Sequence, residues 1–401
     1  TWNLWIKLIL KNISILYGTD LKFINSIDIQ IKNDKFFKIS KKISSNDKLI
    51  NCSNLLLIPG LINCHTHIAD SVGKDVSIDA DVDSKIHPMI GLKQKLLKET
   101  PKPILSKYIK NSAKTMIKKG ITTFVDFREG GTGGVVFLKK SLSKIPIRCV
   151  ILGRLEHYNT KNEIQKNISL PVESSSKISE ILKNCDGIGI SGTNENSDSN
   201  LKSYSKTRKI RAIHAAETID SAKVSKTITK KTETQRSMLL NPTFLVHMTY
   251  ATKNDLKLAS KKTRGIVVCP RANSALAEGI PNILEMIQSG CNLTIGTDNV
   301  MINSPDMFRE MDFLWKVTMG KSQKRFDPKL ILKMATVNGG KLLNQKIGVI
   351  KENFFADCLF IDKKSIDLEP INNVYASLVH RASENSIKAV MIGGKIIHGK
   401  V

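Results

Sequence analysis

The sequence predicts an α/β protein in which a TIM-like (β/α)8 barrel is combined with a small β-sandwich domain formed by both chain termini. Two observations lead to this prediction. Over residues 59–345, short apolar runs alternate eight times with longer segments of helical period. Residues 1–58 and 346–401 instead contain short β-branched runs separated by polar turns. The sequence therefore predicts a barrel over 59–345 and one composite β-sandwich domain from 1–58 and 346–401.

The composition is that of an ordinary globular protein. Of the 401 residues, 41% are hydrophobic and 24% are charged, which excludes a wholly disordered or collagen-like chain. No run of about 18 apolar residues is present, so no membrane span is expected. Residues 1–7 lack the pattern of a signal peptide, and the seven dispersed cysteines form no CxxC pair. Together these features predict a cytoplasmic protein with reduced thiols.

The net charge of +26 raises the alternative that the chain binds nucleic acid or another polyanion. Its lysines, however, are spread along the whole chain, without a long basic block or interleaved aromatic residues. Dispersed lysines are typical of a solvated surface, so we expect no specific nucleic-acid partner. A non-catalytic barrel that binds polyanions stays open as an alternative function.

The secondary-structure elements follow from local patterns. In the β-rich ends, strands are predicted at 14–17, 26–31, 48–50, 356–361, 387–392 and 395–398. The predicted barrel strands are 61–65, 121–127, 147–153, 187–191, 210–214, 243–247, 265–270 and 291–297. Helical period marks 104–119, 177–184, 256–261 and 306–319. Ser304 and Pro305 are the predicted cap and first-turn proline of the last of these helices.

Side chains with metal-binding atoms cluster at the predicted carboxyl ends of barrel strands. His65 and His67 end the first strand, His214 the fifth and His247 the sixth, and Asp298 follows the eighth. In a barrel these strand ends form the mouth of the active site. The i, i+2 spacing of His65 and His67 puts both imidazoles on the same side of an extended strand. Such a set of imidazoles with a carboxylate predicts a site for Zn²⁺ or Fe²⁺ that keeps room for water.

Four segments resemble signature motifs of the amidohydrolase superfamily, in the same order along the chain. They are Pro-Gly-Leu-Ile-Asn-Cys-His-Thr-His at 59–67, His-Ala-Ala-Glu at 214–217, Val-His at 246–247 and Gly-Thr-Asp at 296–298. The His-x-x-Glu variant resembles the mononuclear branch that holds cytosine, guanine and S-adenosylhomocysteine deaminases and triazine chlorohydrolases. Two-metal branches carry a carboxylated lysine at the end of the fourth strand, and 187–191 contains no lysine. The resemblance therefore implies one metal ion, Zn²⁺ or Fe²⁺.

The resemblance also implies a role for each motif residue. The implied metal ligands are His65, His67, His214 and Asp298. Asp298 can in addition accept the proton of the attacking water. Glu217 is implied to carry a proton to the ring nitrogen and the leaving group, and a helix-start carboxylate is its alternative role. His247 is implied to hold the hydroxide or the developing oxyanion by a hydrogen bond.

Six further residues near strand ends are candidates for substrate contact. They are Arg128, Glu129, His157, Asn194, Arg271 and Asn273. A guanidinium group suits a substrate carboxylate or phosphate, and a salt bridge between Arg128 and Glu129 is the alternative. His87 lies away from the predicted strand ends and is expected to be structural.

These observations predict a metal-dependent amidohydrolase that hydrolyses a C–N bond of a small heterocycle, by deaminating a purine- or pyrimidine-like ring. The alternative reaction is the opening of a cyclic amide, as in imidazolonepropionase-like relatives. Release of ammonia without ring opening separates the two reactions. The expected partner is a small-molecule substrate, with no membrane contact, and a homo-oligomer stays open as the quaternary state.

Overall fold

The computed structural model describes residues 7–44, 47–76, 78–79 and 82–401. The expectation that no signal peptide opens the chain rests mainly on residues 1–6, which lie outside the described residues. Within the described part, no helix is both long enough and apolar enough to span a membrane.

The strands belong to two separate sheets. In chain order they are β1 (Lys7–Tyr17), β2 (Lys22–Lys32), β3 (Lys35–Ser40), β4 (Lys48–Asn51), β5 (Leu55–Pro59), β6 (Leu61–His67), β7 (Ile121–Arg128), β8 (Arg148–Gly153), β9 (Gly187–Ile190), β10 (Ile210–Ala215), β11 (Phe244–His247), β12 (Ile266–Val268), β13 (Leu293–Ile295), β14 (Asp298–Asn299), β15 (Cys358–Asp362), β16 (Ile387–Ile392) and β17 (Lys395–Gly399). Each terminal segment contributes to the first sheet, and the middle of the chain forms the second.

The first sheet combines both chain ends in the order β17-β16-β15-β5-β1-β2-β3, with β4 paired to β1. Its two halves share an apolar core that includes Leu10, Phe36, Phe360 and Met391. The predicted small β-unit from both termini is therefore confirmed. All the predicted terminal strands overlap strands of this sheet, and β3 and β5 are additional. The sequence pattern does not separate β5 from β6, because only Gly60 interrupts a continuous apolar run.

The second sheet is a ring of parallel strands in the order β13-β12-β11-β10-β9-β8-β7-β6-β14. β14 follows β13 directly in the chain and pairs with β6, so the ring closes. At the closure the Thr297 N–H donates to the His65 carbonyl oxygen at 3.1 Å. Every predicted barrel strand overlaps a strand of this sheet; the last, predicted at 291–297, corresponds to β13, and β14 is an additional short strand after it. The predicted (β/α)8 barrel is confirmed.

Helices connect the barrel strands and cover the outside of the ring. In chain order they are α1 (Val82–Ile86), α2 (Leu92–Glu99), α3 (Lys102–Lys118), α4 (Gly131–Leu142), α5 (Lys161–Gln165), α6 (Ser174–Asn184), α7 (Asp198–Tyr204), α8 (Ile219–Thr229), α9 (Glu233–Ser237), α10 (Lys253–Lys262), α11 (Pro270–Ala275), α12 (Ile283–Gln288), α13 (Met307–Ser322), α14 (Pro328–Met334), α15 (Val337–Leu343) and α16 (Val374–His380). Short 3₁₀ helices lie at Ile68–Gly73, Met238–Leu240 and Glu384–Ser386.

The four predicted helices correspond to α3, α6, α10 and α13, but the predicted cap of α13 is wrong. The N-cap is Asp306, whose Oδ1 accepts a hydrogen bond from the Arg309 N–H at 3.2 Å. Pro305 consequently precedes the cap and does not occupy the first turn. A carboxylate at the first non-helical position reaches the free N–H groups of the helix start, which Ser304 is too far away to do.

One helix of the C-terminal segment packs on the barrel. His380 of α16 stacks on Trp315 of α13 with ring centroids 5.1 Å apart. Leu378 and Val379 join the apolar core between the barrel and its helices. Because part of 346–401 packs in this way, the division of the chain into 1–58 with 346–401 and 59–345 stays a prediction.

Candidate active site

Three histidines and an aspartate converge at the carboxyl ends of β6 and β10 and at the start of β14. His65 Nε2 lies 3.1 Å from His214 Nε2 and 3.2 Å from Asp298 Oδ1. His67 Nε2 lies 3.6 Å from the same Asp298 oxygen. All four side chains are buried. The structure thus brings together the four residues that the sequence predicts as metal ligands.

Close packing between β6 and the segment before β14 allows this convergence. A Cβ at Gly296 would lie 2.6 Å from the His65 Cβ, so only glycine fits there. Asn63 holds the next residue, because its Oδ1 accepts from the Thr297 N–H at 3.0 Å and its Nδ2 donates to Thr297 Oγ1 at 2.7 Å. Asp298 then has a φ of +61°, a conformation that costs energy in a residue other than glycine. The Gly-Thr-Asp sequence therefore has a packing reason as well as a chemical one.

Contacts on the far side of two rings determine how these histidines face the centre. His67 Nδ1 lies 3.1 Å from the Phe127 carbonyl oxygen and 2.9 Å from Glu129 Oε1. His214 Nδ1 lies 3.0 Å from the Ile190 carbonyl oxygen. These oxygens accept hydrogen bonds, so Nδ1 carries the proton in each ring. Each Nε2 consequently keeps its lone pair and directs it toward the centre.

The electrostatics of the cluster fit a cation. Burial lowers the pKa of all three histidines, that of His67 to about 3, so the rings are neutral at pH 7. Burial alone would raise the pKa of Asp298, but its hydrogen bond and electrostatic interaction with the His65 side chain hold it well below its ordinary value. Three neutral nitrogens and one carboxylate oxygen form a donor set that Zn²⁺ takes in proteins. His65 Nε2 and His214 Nε2, 3.1 Å apart, both face this centre.

Glu217 and His247 form a second pair beside this centre. Glu217 Oε1 lies 3.2 Å from His247 Nε2, and both side chains are near Asp298. His247 Nδ1 lies 3.1 Å from Asn273 Oδ1, and Asn273 Nδ2 donates to Thr249 Oγ1 at 2.7 Å. The second hydrogen bond assigns the amide orientation, so Nδ1 of the ring carries a proton. Burial raises the pKa of Glu217 to about 7, which lets this carboxyl both release and take up a proton near neutral pH.

A cavity of about 130 Å³ opens on these side chains. Four of the predicted catalytic or metal-binding residues line it, namely His67, His214, Glu217 and Asp298. The other lining residues are Ile86, His87, Pro88, Lys93, Arg154, Ser191, Glu195, Thr218, Ser221 and Asn299. A molecule bound in this cavity meets both the histidine cluster and Glu217. His87, which was expected to be structural, instead belongs to the cavity wall.

The cavity wall, within the described part of the chain, contains none of the six residues predicted to contact substrate. Glu129 and Asn273 instead contact the Nδ1 atoms of His67 and His247, at 2.9 and 3.1 Å. Each of these contacts holds the orientation of one imidazole ring, that of His67 or that of His247. The substrate contact predicted for these two residues stays a prediction.

The two arginines predicted to bind a substrate anion have internal partners. Arg128 Nη2 lies 3.3 Å from Glu129 Oε2, which is the salt bridge considered as the alternative. Arg271 Nη1 lies 3.3 Å from Glu310 Oε1, a carboxyl on α13. Both guanidinium groups therefore support the protein around the mouth of the barrel.

Asn194 and His157 also lie outside the cavity wall. Asn194 Nδ2 donates to the Ser221 carbonyl oxygen at 2.9 Å and so connects the loop after β9 to α8. His157 is half-buried in the loop after β8. The substrate contact predicted for these two residues also stays a prediction.

Several residues at the site are not among the sequence predictions. Arg154 directly follows β8, so the rule that residues at strand ends face the active-site mouth also applies to it. Glu195 lies in the polar loop after β9, and Lys93 lies on α2, where neither a motif nor a strand end marks it. Cys269 follows β12, and its Sγ is within 4.8 Å of two predicted ligand atoms. Burial raises the pKa of the Cys269 thiol well above its ordinary value, so the thiol stays protonated.

Glu129 is the counter-ion for a cluster of buried cations beside the cavity. Its Oε1 lies 2.6 Å from Lys93 Nζ and 3.5 Å from Arg154 Nη2, while Oε2 faces Arg128. Burial by itself would raise the pKa of Glu129, but Lys93 and then His67 hold it well below its ordinary value. Glu129 is therefore ionised and stays a hydrogen-bond acceptor for the His67 ring.

Comparisons with known proteins agree with this geometry. The sequence profile described as "Amidohydrolase family" matches residues 56–397. A putative aminohydrolase from Methanothermobacter thermautotrophicus is 34% identical over 398 residues, which cover 97% of this chain and 99% of that protein. A 5-methylthioadenosine/S-adenosylhomocysteine deaminase from Thermococcus sibiricus is 29% identical, over 98% of this chain and 94% of that protein.

A solved structure shows the same fold at low sequence identity. The crystal structure of an adenosine deaminase from Xanthomonas campestris with bound zinc superposes with a TM-score of 0.81 at 17% identity. The superposition covers 97% of this chain and 92% of that one, so both the barrel and the terminal sheet are included. The profile match and the identity to relatives extend over nearly the whole chain, and this chain belongs to the amidohydrolase family.

Proposed function

We propose that this amidohydrolase is a deaminase, which hydrolyses the C–N bond between an amino group and a small purine- or pyrimidine-like ring. The observation that carries the proposal is the Glu217–His247 pair, 3.2 Å apart, beside a convergent set of metal-binding atoms at one cavity. The names of similar proteins support it, since one relative is a 5-methylthioadenosine/S-adenosylhomocysteine deaminase and a protein of the same fold is an adenosine deaminase.

We propose one Zn²⁺ ion per chain as the cofactor. The proposed ligands are His65, His67, His214 and Asp298. The support is their neutral, convergent nitrogens with one ionised carboxylate, and the zinc bound in the adenosine deaminase of the same fold. When bound, such an ion lowers the pKa of a coordinated water to about 7 and so provides a nucleophile at neutral pH.

The protein's own side chains move the protons of the proposed reaction. Water adds to the ring carbon that bears the amino group, and Asp298 accepts a proton of that water. Glu217, with a pKa of about 7, gives its proton to the adjacent ring nitrogen. The proton held by Asp298 then passes to the amine, and Glu217 takes back the proton of the remaining hydroxyl group as the carbonyl forms. The C–N bond breaks, ammonia leaves and a carbonyl remains on the ring. The Nδ1 proton of His247 faces Asn273, so a hydrogen bond from Nε2 to the oxygen that becomes negative requires a second proton on the ring. Glu217, 3.2 Å away and ionised once it has given its proton, would stabilise that imidazolium.

The setting proposed for this reaction is the cytoplasm, with a small molecule as the partner. All seven cysteines are free, which supports a reducing compartment. Opening of a cyclic amide uses the same residues and is separated from deamination by its products. Deamination releases ammonia and leaves the ring closed, whereas amide opening leaves the nitrogen in the product.

The test is a substrate panel on purified, zinc-loaded protein. The panel contains adenine, guanine and cytosine, their nucleosides, 5-methylthioadenosine and a set of cyclic amides. A coupled assay measures ammonia, and ultraviolet spectra follow the ring. Ammonia release with an intact ring from at least one aminated heterocycle is the expected result. Turnover of cyclic amides alone, without ammonia, contradicts the proposal, and metal-independent binding of nucleic acid without any turnover contradicts it as well.

A further inference from the structure

Glu195 is a cavity carboxyl that the proposed mechanism does not use. It lines the cavity together with Ser191 and Glu217. Among the described residues, its side chain has one hydrogen bond, from Ser191 Oγ to Oε2 at the long distance of 3.4 Å. Burial, with help from neighbouring carboxylates, raises the pKa of Glu195 to about 7. Glu195 is half-buried, and a carboxyl with so little hydrogen bonding within the protein can accept hydrogen bonds from a molecule in the cavity.

The two cations of the cavity wall, Arg154 and Lys93, pair with carboxylates other than Glu195. Arg154 acts electrostatically on Glu195, but its guanidinium lies 3.5 Å from Glu129 and 3.7 Å from Glu156. Lys93, the other cation in the cavity wall, lies 2.6 Å from Glu129. The described part of the chain therefore leaves Glu195 without an ion pair. The Glu195 carboxyl can therefore interact with a molecule bound in the cavity.

The backbone around Glu195 is held in place. Arg236 is fully buried and donates to the Thr193 carbonyl oxygen at 2.7 Å and to the Asn196 carbonyl oxygen at 2.6 Å. The Asn159 N–H donates to the carbonyl oxygen of Glu195 itself at 2.9 Å. A loop of small polar residues is ordinarily mobile, and these hydrogen bonds order it on both sides of Glu195. The backbone that carries the Glu195 side chain is therefore ordered before a ligand binds, as in a preorganised binding site.

Helix α9, which carries Arg236, also holds the turn that carries Glu217. Glu233 of α9 accepts hydrogen bonds from the Ala216 N–H at 2.8 Å and from Ser221 Oγ at 2.9 Å. Arg236, which orders the loop of Glu195, lies on α9 as well. The two cavity carboxyls are thus positioned by one element. This arrangement fits two carboxyls that act on the same bound molecule.

We infer that Glu195 binds the substrate by accepting a hydrogen bond from an N–H group other than the amine that leaves. This inference rests on the proposed function and narrows its substrate class to amino-substituted rings with a second donor, such as a diamino ring. A bound ring without that donor would cover the Glu195 carboxyl, shield it from water and leave it unpaired. Unpaired buried acceptors typically disfavour the wrong ligand by about 10- to 100-fold.

The test compares two rings that differ in one amino group, adenine and 2,6-diaminopurine, as free bases and as ribosides. We expect zinc-loaded wild-type protein to prefer the diamino ring by about 10- to 100-fold, in kcat/KM and in the Kd from calorimetry. Glu195→Leu removes the acceptor at similar size and should abolish the preference. Glu195→Gln keeps one acceptor oxygen and should show an intermediate preference. Zinc content and thermal unfolding of each variant establish that it is folded.

Asp220→Asn is the matched control, since Asp220 is an exposed carboxyl on α8 that does not line the cavity. It should leave the preference unchanged. Equal affinity of the wild type for both rings, a preference that survives in Glu195→Leu, or no binding of either ring overturns the inference. Selective binding of the diamino ring without ammonia release from any heterocycle contradicts the proposed function and leaves the role of Glu195 standing.

Discussion

His67 Nδ1 lies 2.9 Å from Glu129 Oε1, and the other close partner of that oxygen is Lys93 Nζ at 2.6 Å. A buried chain of Lys93, Glu129 and His67 therefore ends at a predicted metal ligand. Carboxylates behind a histidine ligand fix its tautomer and raise its basicity. Lys93 in turn keeps the Glu129 carboxyl ionised in its buried position. The orientation of the His67 ring therefore depends on two residues that are not among the predicted metal ligands.

Glu129→Gln should weaken zinc binding by about 10- to 100-fold, because a neutral amide is a poorer acceptor for the His67 N–H. Titration of the metal-free protein with zinc against a competing chelator measures the affinity. Glu156→Gln is the control, since Glu156 is an exposed carboxyl near Arg154 that contacts no histidine. Equal zinc affinity of Glu129→Gln and the wild type would show that the contact does not orient the ligand.

One equivalent of tightly bound Zn²⁺ or Fe²⁺ per chain is expected, because the predicted ligands form a single convergent set. Elemental analysis of the purified protein measures the occupancy. His67→Ala removes one ligand and should lose most of the metal. A chelator should lower the thermal midpoint of the wild type, since a ligand that binds only the folded state stabilises it. Two equivalents per chain, or full occupancy in His67→Ala, would contradict the single-metal site.

Much of the predicted metal site follows from the sequence, because its residues lie at strand ends and side chains alternate between the two faces of a strand with a period of two residues. His65 and His67 share a side by their spacing, and the closed barrel brings His214 and Asp298 to the same mouth. The packing reason for Gly296 becomes visible only when its distance to His65 is known.

The substrate wall is less predictable, because tertiary packing selects among equivalent positions. Arg128 and Arg154 both lie at strand ends, and only Arg154 lines the cavity. Lys93 reaches the cavity from α2, a helix that neither a motif nor a strand end connects to the site. Glu195 comes from a loop whose shape is set by Arg236, more than forty positions away in the chain.

Glu217→Gln should reduce kcat by about 10²- to 10⁴-fold, because the amide keeps the shape of the side chain but cannot carry a proton. Metal content should stay at the wild-type level, since Glu217 is not among the proposed ligands. Steady-state kinetics on the identified substrate, with elemental analysis of the same preparation, measures both.

His214→Ala is the contrasting variant, because His214 shares the motif with Glu217 but is a proposed ligand. It should lose metal and activity together. Near-normal turnover in Glu217→Gln would return this residue to the role of a helix-start carboxylate. Loss of metal in Glu217→Gln would place it among the ligands and require a different coordination.

The excess positive charge should produce only weak, sequence-independent binding of nucleic acid at physiological salt. The charge of +26 comes from dispersed lysines, and a dispersed set gives a diffuse field without specific base contacts. Fluorescence anisotropy with labelled duplex DNA and RNA at several salt concentrations measures the affinity. A specific complex with a Kd tighter than about 10⁻⁸ M would overturn this expectation.

Glu233→Gln should lower kcat by about 10- to 100-fold with little change in KM or metal content. Ala216, which precedes Glu217, has a φ of +50°, and this strained turn is held by the 2.8 Å hydrogen bond to Glu233. The amide of a glutamine at 233 is a weaker acceptor than a carboxylate for the two donors that converge there, so the turn relaxes and Glu217 moves. A displacement of about 1 Å at a reacting group is enough to cost about 10²-fold in rate. Thr193→Val removes only the 3.3 Å bond to the other Glu233 oxygen and should have a smaller effect. A fall in thermal stability with unchanged kcat in the folded protein would make Glu233 a purely structural residue.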